Sequence, residues 1–294
     1  MEKRALKNSE LVLSSDSKIY HLNLKPEDIG TLVFLVGDPG RVQLMSSLFD
    51  QVDVRVESRE FVTHTGYFNK RRVSVVSTGI GPDNIDITVN ELDELLNIDF
   101  TSRTIKEHKT PIRFIRIGTS GALQRNIEPG SVIVTKIAGG FDNLLYYYEG
   151  MEDICDLSLG ADFYKHMQWD DENSHPYFIP ASESLYKKIV DKRHFTGITI
   201  AAPGFYGPQG RTLRIPIKDK SYMEKISSYR YGQLKINNFE MESSALYGLS
   251  HLLGHEALCV CIALANRITG KFITDYKALM MRLLKEILIR MTND

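Results

Sequence analysis

Two arginines in this sequence stand beside glycine-rich turns. Arg41 follows Gly37-Asp38-Pro39-Gly40, directly after the apolar run TLVFLV. Arg116 precedes Gly118-Thr119-Ser120-Gly121 in RIGTSGAL. Between them in the chain lies another turn, Thr78-Gly79-Ile80-Gly81, which follows VSVVS. Glycine lets a backbone approach a ligand closely and turn its N–H groups inward. Two guanidinium groups with hydroxyls and N–H donors suit a phosphate oxyanion. Any one of these turns alone reads equally well as strand-to-helix punctuation. Neither GxxxxGK[ST] nor GxGxxG occurs in the chain, so the nucleotide and dinucleotide loops are excluded. The ligand expected is free phosphate or a small phosphate ester, not ATP or NAD.

The elements that must position these residues are legible as apolar patterns. TLVFLV, RRVSVVST, IRFIRI, SVIVTK, FTGITIA and ALCVCIALA are continuous apolar runs, as expected for sheet buried on both faces. Ile85, Val89, Leu92 and Leu96 recur at helical spacing, as do Met241, Ala245, Leu249 and Leu252. A last helix is predicted from about Thr274, an N-cap before Asp275, burying Leu279, Leu283, Ile287 and Met291. Strands alternating with helices predict an α/β layer fold. Residues 57–77 read as a hairpin turning at Asn69-Lys70, which makes the sheet mixed. In such sheets ligands bind beyond the carboxyl ends of strands, where the three glycine turns are expected to fall. Residues 141–180, rich in Tyr and acidic side chains, read as a long loop with room for a helix, not as a separate domain.

Composition narrows the function classes. The 294 residues allow one large domain or two small ones, and 43% hydrophobic content supports a sizeable core. With 36 basic and 37 acidic residues and no basic tract, a nucleic-acid partner is not expected. No run of 18 apolar residues exists, and MEKRALKNSELVLSSDSK lacks an apolar h-region, so neither a membrane span nor a secretory signal is expected. Three cysteines without zinc-type spacing predict a reducing, cytoplasmic setting. Cys259 and Cys261, two apart in an apolar run, are expected to share one side of a buried strand.

VGDPGRV, RIGTSGAL and NNFEMESSALYGL, in that order, resemble the nucleoside phosphorylases of the uridine phosphorylase and purine nucleoside phosphorylase superfamily. The resemblance runs from about His21 to the C-terminus. It implies a polar segment at residues 1–20 and one nucleoside phosphorylase domain at 21–294. The implied fold is a single α/β domain with a mixed, partly barrel-like central sheet flanked by helices. The implied reaction is reversible phosphorolysis of a nucleoside to base and pentose 1-phosphate. Inorganic phosphate is then a co-substrate, and no organic cofactor is implied.

By that resemblance, Gly37, Arg41, Arg116 and Thr119 bind the attacking phosphate. Arg59, in SREF, resembles an arginine that a neighbouring subunit donates to the same phosphate. His21, in IYHLNL, resembles a histidine that reaches across a dimer interface to the 5′-hydroxyl. Both imply a homo-oligomer, a dimer or a trimer of dimers. Glu242 would accept hydrogen bonds from the ribose hydroxyls while Met241 packs on the sugar. A carboxylate there suits an electron-poor, oxocarbenium-like ring, and a thioether packs without competing for hydrogen bonds. Read alone, Glu242 would be a carboxylate favoured by a helix N-terminus.

The stretch GFYGPQGRTLR resembles the pyrimidine-recognition loop of uridine phosphorylases. Gln209 offers one donor and one acceptor to uracil O2 and N3–H. Arg211 can donate to O4, and Phe205 can stack on the ring. Arg267 resembles a second arginine near the base. Purine enzymes of the superfamily place an Asp for N7 where this chain reads Asn266-Arg267. The expectation is phosphorolysis of uridine, with deoxyuridine a further substrate, in pyrimidine salvage or catabolism. The alternatives are a purine nucleoside phosphorylase and a non-catalytic nucleoside-binding protein. Two departures stand out: Pro82-Asp83 after the second glycine turn, and AAPG before Phe205. Some relatives carry a potassium ion at the dimer interface, and Glu60, Ile80 and Asn84 fall at the matching positions.

Overall fold

Each apolar run becomes a strand in the computed structural model, which describes residues 4–293. The strands are β1 (Leu32–Val36), β2 (Gln51–Ser58), β3 (Phe61–Phe68), β4 (Arg71–Ser77), β5 (Ile98–Asp99), β6 (Thr104–Ile105), β7 (Arg113–Ala122), β8 (Val132–Gly140), β9 (Tyr177–Pro180), β10 (Phe195–Ala201), β11 (Arg230–Tyr231), β12 (Leu234–Glu240) and β13 (Glu256–Asn266). The helices are α1 (Pro39–Ser46), α2 (Pro82–Asn97), α3 (Met151–Ile154), α4 (Leu157–Met167), α5 (Glu183–Ile189), α6 (Tyr222–Ser228), α7 (Ser243–Leu253) and α8 (Lys277–Thr292).

Eleven strands make one mixed sheet in the order β11-β12-β10-β8-β13-β7-β1-β4-β3-β2, with β9 on β8. A further pairing of β12 with β7 closes β12, β10, β8, β13 and β7 into a five-stranded barrel. The strands β1 and β4 continue the parallel sheet from β7, and β3 and β2 add antiparallel hairpins. The hairpin between β3 and β4 turns at Asn69 and Lys70, both at positive φ, as the sequence predicts.

Burial on both faces explains the continuous apolar runs. In β1, Val33 and Leu35 join a core with Ile85, Val89 and Leu92 of α2 and Leu246 and Leu249 of α7. Phe34 and Val36 face the other way, onto Val42 and Met45 of α1 and Leu284 and Ile287 of α8. Within the polar segment before His21, Leu11 and Ile19 are buried in the first of these cores. Among the described residues, no helix is long and apolar enough to cross a membrane.

Three local expectations change. The glycines of RIGTSGAL do not end a strand, because β7 runs on to Ala122, paired in parallel from Arg116 opposite Cys259 to Ala122 opposite Asn266. The last helix starts at Lys277, with Tyr276 rather than Thr274 at its N-cap. Ile273 N–H donates to Leu264 O at 2.9 Å and Phe272 bridges Ala265, so the chain is still held along β13 there. Residues 141–180 hold two α-helices, a 3-10 turn at Leu144–Tyr147 and a strand: Leu159, Phe163 and Met167 of α4 share one helix face and bury against Ile198 and Ile200 of β10.

Candidate active site

Two arginines gather around the first half of β7. Arg116 is 4% exposed. Its Nη2 donates to Glu242 Oε2, and its Nη1 lies 3.7 Å from Glu240 Oε2. A side chain at Gly118 would collide with that guanidinium, so the glycine serves space inside a strand, not a turn. Glu242 stands at the N-cap of α7, and its Oε1 accepts the Gly81 N–H at 2.9 Å. Gly79 and Gly81 take φ of 71° and 104°, a backbone that favours glycine. Burial pushes the Glu242 carboxyl above the ordinary carboxylate range; Arg116 pulls against that rise and the Glu240 carboxylate adds to it.

Arg41 joins this cluster from the first turn of α1. Asp38 caps that helix by accepting the Gly40 N–H at 2.9 Å, with Pro39 following it. The cap aims Arg41 inward, where Nη1 donates to Ile117 O at 3.3 Å. Burial, and then the positive charge of Arg116, lower the Arg41 pKa. Its Nε is buried without a hydrogen-bond partner, as is Arg116 Nε. A Cβ on Gly37 would sit 3.2 Å from Gly79 O and 4.0 Å from Arg41 Nη2, so the first two glycine turns touch. Two close guanidinium groups with spare donors are what a phosphate dianion would satisfy. Thr119, half-buried, lies three residues along β7.

The loop at residues 204–214 meets the far end of the same strand through Arg267. Arg267 N–H donates to Ala122 O at 2.8 Å, and its Nη1 donates to Gln209 O at 3.0 Å. Gly121 makes room, since a Cβ there would come within 3.2 Å of Arg267 Cγ. Gln209 is 2% exposed, and its Oε1 accepts from Arg211 Nη1 at 2.7 Å. The Arg211 guanidinium lies 3.7 Å from the centroid of the half-exposed Phe205 ring. Burial, then repulsion from Arg267, lowers the Arg211 pKa to about 10. From Arg116 to Gly121 the strand spans roughly 16 Å, which leaves room for a sugar between an anion and a base. Met241 is half-buried in the link between β12 and α7, outside the helix.

His21 and Arg59 are brought together, but elsewhere. The Arg59 guanidinium lies 5.1 Å from the centroid of the Tyr20 ring, and Tyr20 meets the His21 ring edge-on at 4.8 Å. None of the described contacts joins either residue to Arg41, Arg116 or Glu242 in the same chain. Glu91 holds His21 from α2: both its oxygens accept the His21 N–H at 3.1 Å, one accepts the Leu22 N–H, and Oε1 meets ring Nδ1. Glu60 and Asn84 flank Gly79, and Ile80 is 68% exposed. The converging group Asp191, His194 and Glu286 lies apart from the site, its carboxylates already paired with Arg193 and Arg290.

Two clefts open onto these parts. One of about 1210 Å³ is walled by Tyr206, Pro208 and Arg211 of the 204–214 loop and by Trp169 and Tyr222. A second of about 480 Å³ holds Arg41 and the start of α8. Arg116 and Glu242 line neither. Sequence reading missed Glu240, Glu91 and Tyr20. Only Glu240, two residues before Glu242 in a motif already singled out, left a local signal.

The phosphorylase superfamily model matches residues 31–289. The uridine phosphorylase of Thermococcus kodakarensis is 33% identical over 255 residues, covering 86% of this chain and 79% of that protein. A purine nucleoside phosphorylase of the DeoD type from Caldanaerobacter subterraneus is 28% identical, covering 85% and 89%. The structure of a Trypanosoma brucei nucleoside phosphorylase, described as showing uridine phosphorylase activity, superposes with a TM-score of 0.86 at 27% identity, covering 95% and 98%. The match takes in every strand of the barrel, and the chain belongs to the phosphorylase superfamily.

Proposed function

We propose that this chain is a uridine phosphorylase, a pentosyltransferase that cleaves uridine with inorganic phosphate to uracil and ribose 1-phosphate, reversibly. The observation that carries this reading is the layout of β7. Paired arginines gather around Arg116 and Ile117 in its first half, Glu242 beside them, and the Gln209–Arg211–Arg267 group lies at its C-terminal end. A phosphate oxygen held by Arg41, Arg116, Gly37 and Thr119 attacks C1′ as the bond to uracil N1 breaks. Glu242, with Met241 against the sugar, accepts from the ribose hydroxyls and offsets positive charge on the ring. Arg211 stabilises the departing uracil anion at O4, Gln209 reads O2 and N3–H, and Phe205 stacks. Catalysis is then positioning plus electrostatics.

Asn266 argues against the purine alternative. Its Nδ2 donates to Gln124 O and Ile127 O, each at 2.9 Å, and its Oδ1 accepts the Ile268 and Thr269 N–H groups. It is committed to shaping the turn and offers no acid to a purine N7. Deoxyuridine would bring one fewer hydroxyl to Glu242, and it belongs in the same substrate panel. Exposed Arg59 and half-buried His21, grouped on one surface, support a two-fold homo-oligomer in which each completes its neighbour's site. Glu60, Ile80 and Asn84, clustered around Gly79, would supply oxygen donors to a potassium ion held at that interface; exchange of potassium for choline tests this through the oligomeric state. Uracil release from a nucleoside panel, with and without phosphate, tests the main reading. Equal rates in phosphate-free buffer would overturn it.

A further inference from the structure

Glu240 closes β12 as a carboxylate only 4% exposed. Its Oε1 accepts from Ser243 N–H at 3.0 Å and from Ser243 Oγ at 2.6 Å. Its Oε2 accepts the Glu242 N–H at 2.9 Å and the Ser243 N–H at 3.1 Å, and lies 3.7 Å from Arg116 Nη1. One side chain therefore holds the peptide that carries Glu242, caps the first turn of α7 and contacts the guanidinium. A buried carboxylate is costly unless paired and hydrogen-bonded, and the partners of this one are the peptide of Glu242, Ser243 at the start of α7 and Arg116. Its cap comes from the preceding strand, while the N-cap residue itself, Glu242, makes no capping bond and points to Arg116 and Gly81 instead.

We propose that Glu240 is a positioning residue: it satisfies the N-terminus of α7 so that Glu242 is released toward the sugar, and it holds Arg116 between two carboxylates. This rests on the reading that Glu242 meets the ribose and Arg116 the phosphate. The second carboxylate also sets the charge around Glu242. The charged and titratable groups facing the pair are Arg116 on β7, with Arg41 beyond it, Cys259 and Cys261 on β13, and Tyr247 on α7. Cys261 is held well above the usual thiol range by its contact with Cys259 and by burial, and Tyr247 is raised by burial, so neither carries charge near neutrality.

The test uses E240Q, E240D and S243A in the full chain, with uridine and phosphate kinetics across pH and calorimetry of phosphate alone. E240Q keeps the shape and removes the charge. Its kcat/KM for uridine should fall roughly 10²-fold, as for one partner of a buried charge pair. Phosphate affinity should hold or rise, because Arg116 loses one competing carboxylate. The acid limb of kcat/KM should move to lower pH, because Glu242 loses a negative neighbour. E240D keeps the charge and shortens the reach, so its rate should fall with the limb in place. S243A, which removes one donor and should fold readily, should lose roughly fivefold, the size of one hydrogen bond, with the limb also in place. Wild-type kcat/KM in E240Q or in S243A, or an unmoved limb in E240Q, would overturn the proposal. Should E240Q fail to fold, S243A and E240D decide it. An inactive wild type would instead indict the uridine reading, and phosphate calorimetry on E240Q would still report on Arg116.

Discussion

The guanidinium of Arg116 occupies the volume that a side chain at Gly118 would need, although the two residues lie on one face of the same strand. Gly118 to Ala is therefore an overpacking change inside a charged cluster, where Arg116 is tied to Glu242 and cannot yield freely. Overpacking of this kind costs roughly 1–3 kcal/mol. The expected outcome is weaker phosphate binding with a modest loss of thermal stability, read by calorimetry and melting. Unchanged phosphate affinity would show that the arginine has another resting place.

Loss of Arg116 itself should be more severe. Arg116→Ala removes the proposed phosphate ligand and leaves Glu240 and Glu242 buried without their cation. Transition-state stabilisation should fall by about 2–5 kcal/mol, which is about 10²-fold or more in kcat/KM. Single-site kinetics at saturating and limiting phosphate would measure it. A variant with normal phosphate dependence would remove Arg116 from the site.

On the proposed reading, base choice falls to Gln209 and Arg211, which are hydrogen-bonded to each other. Cytidine presents an acceptor at N3 and an amine at C4, so both partners would face mismatched groups. Sites built on such pairs discriminate by as much as ~10⁴-fold. Uridine should far outrun cytidine and inosine. Gln209→Ala should lower uridine turnover with phosphate affinity nearly unchanged, since Gln209 reaches only the Ala122 end of β7, through Arg267, while Arg116 lies in its first half. Preference for inosine would replace the uridine reading with the purine one.

Subunit sharing is testable by complementation. Arg59→Ala and Glu242→Ala chains, each impaired alone, should regain activity on mixing, because one mixed site carries neither lesion. Glu91→Gln should weaken the hold on His21 and raise the KM for uridine more than it lowers kcat, as expected of a residue acting on ground-state binding. A fully active monomer, measured by sedimentation at assay concentration, would refute the shared site.

Glu242 fixes the sign of the pH response. Its proton affinity is raised by burial and by Glu240. As pH falls from neutrality it therefore becomes protonated earlier than an ordinary carboxyl, and the charge that would offset the cationic ring is lost. Activity should decline on the acid side at a pH above the ordinary carboxylate range. A profile flat down to the usual glutamate range would show that Glu242 is not the titrating group.

Apolar run, helical spacing and turn chemistry were enough to read the six main strands, α2, the β3–β4 hairpin and the two arginines, because each depends on residues close in the chain. Resemblance of short motifs supplied Gln209, Arg211 and Glu242 for the same reason. Tertiary structure decided what local pattern cannot encode. Gly118 looks like a turn residue until the pairing of β7 with β13 makes it a strand residue that yields space to Arg116. Glu240 looks like one more carboxylate until barrel closure puts it against Arg116, more than a hundred residues away. Tyr20 and Arg59 meet only because the segment around Tyr20 folds back beside the β2–β3 turn. The helices of 141–180 were hidden by acidic and tyrosine-rich composition, and became necessary once β10 offered Ile198 and Ile200 as an apolar surface to cover. Burial of a charge is a property of the whole sheet, so the residues that hold the charged site in place are the ones a linear reading passes over.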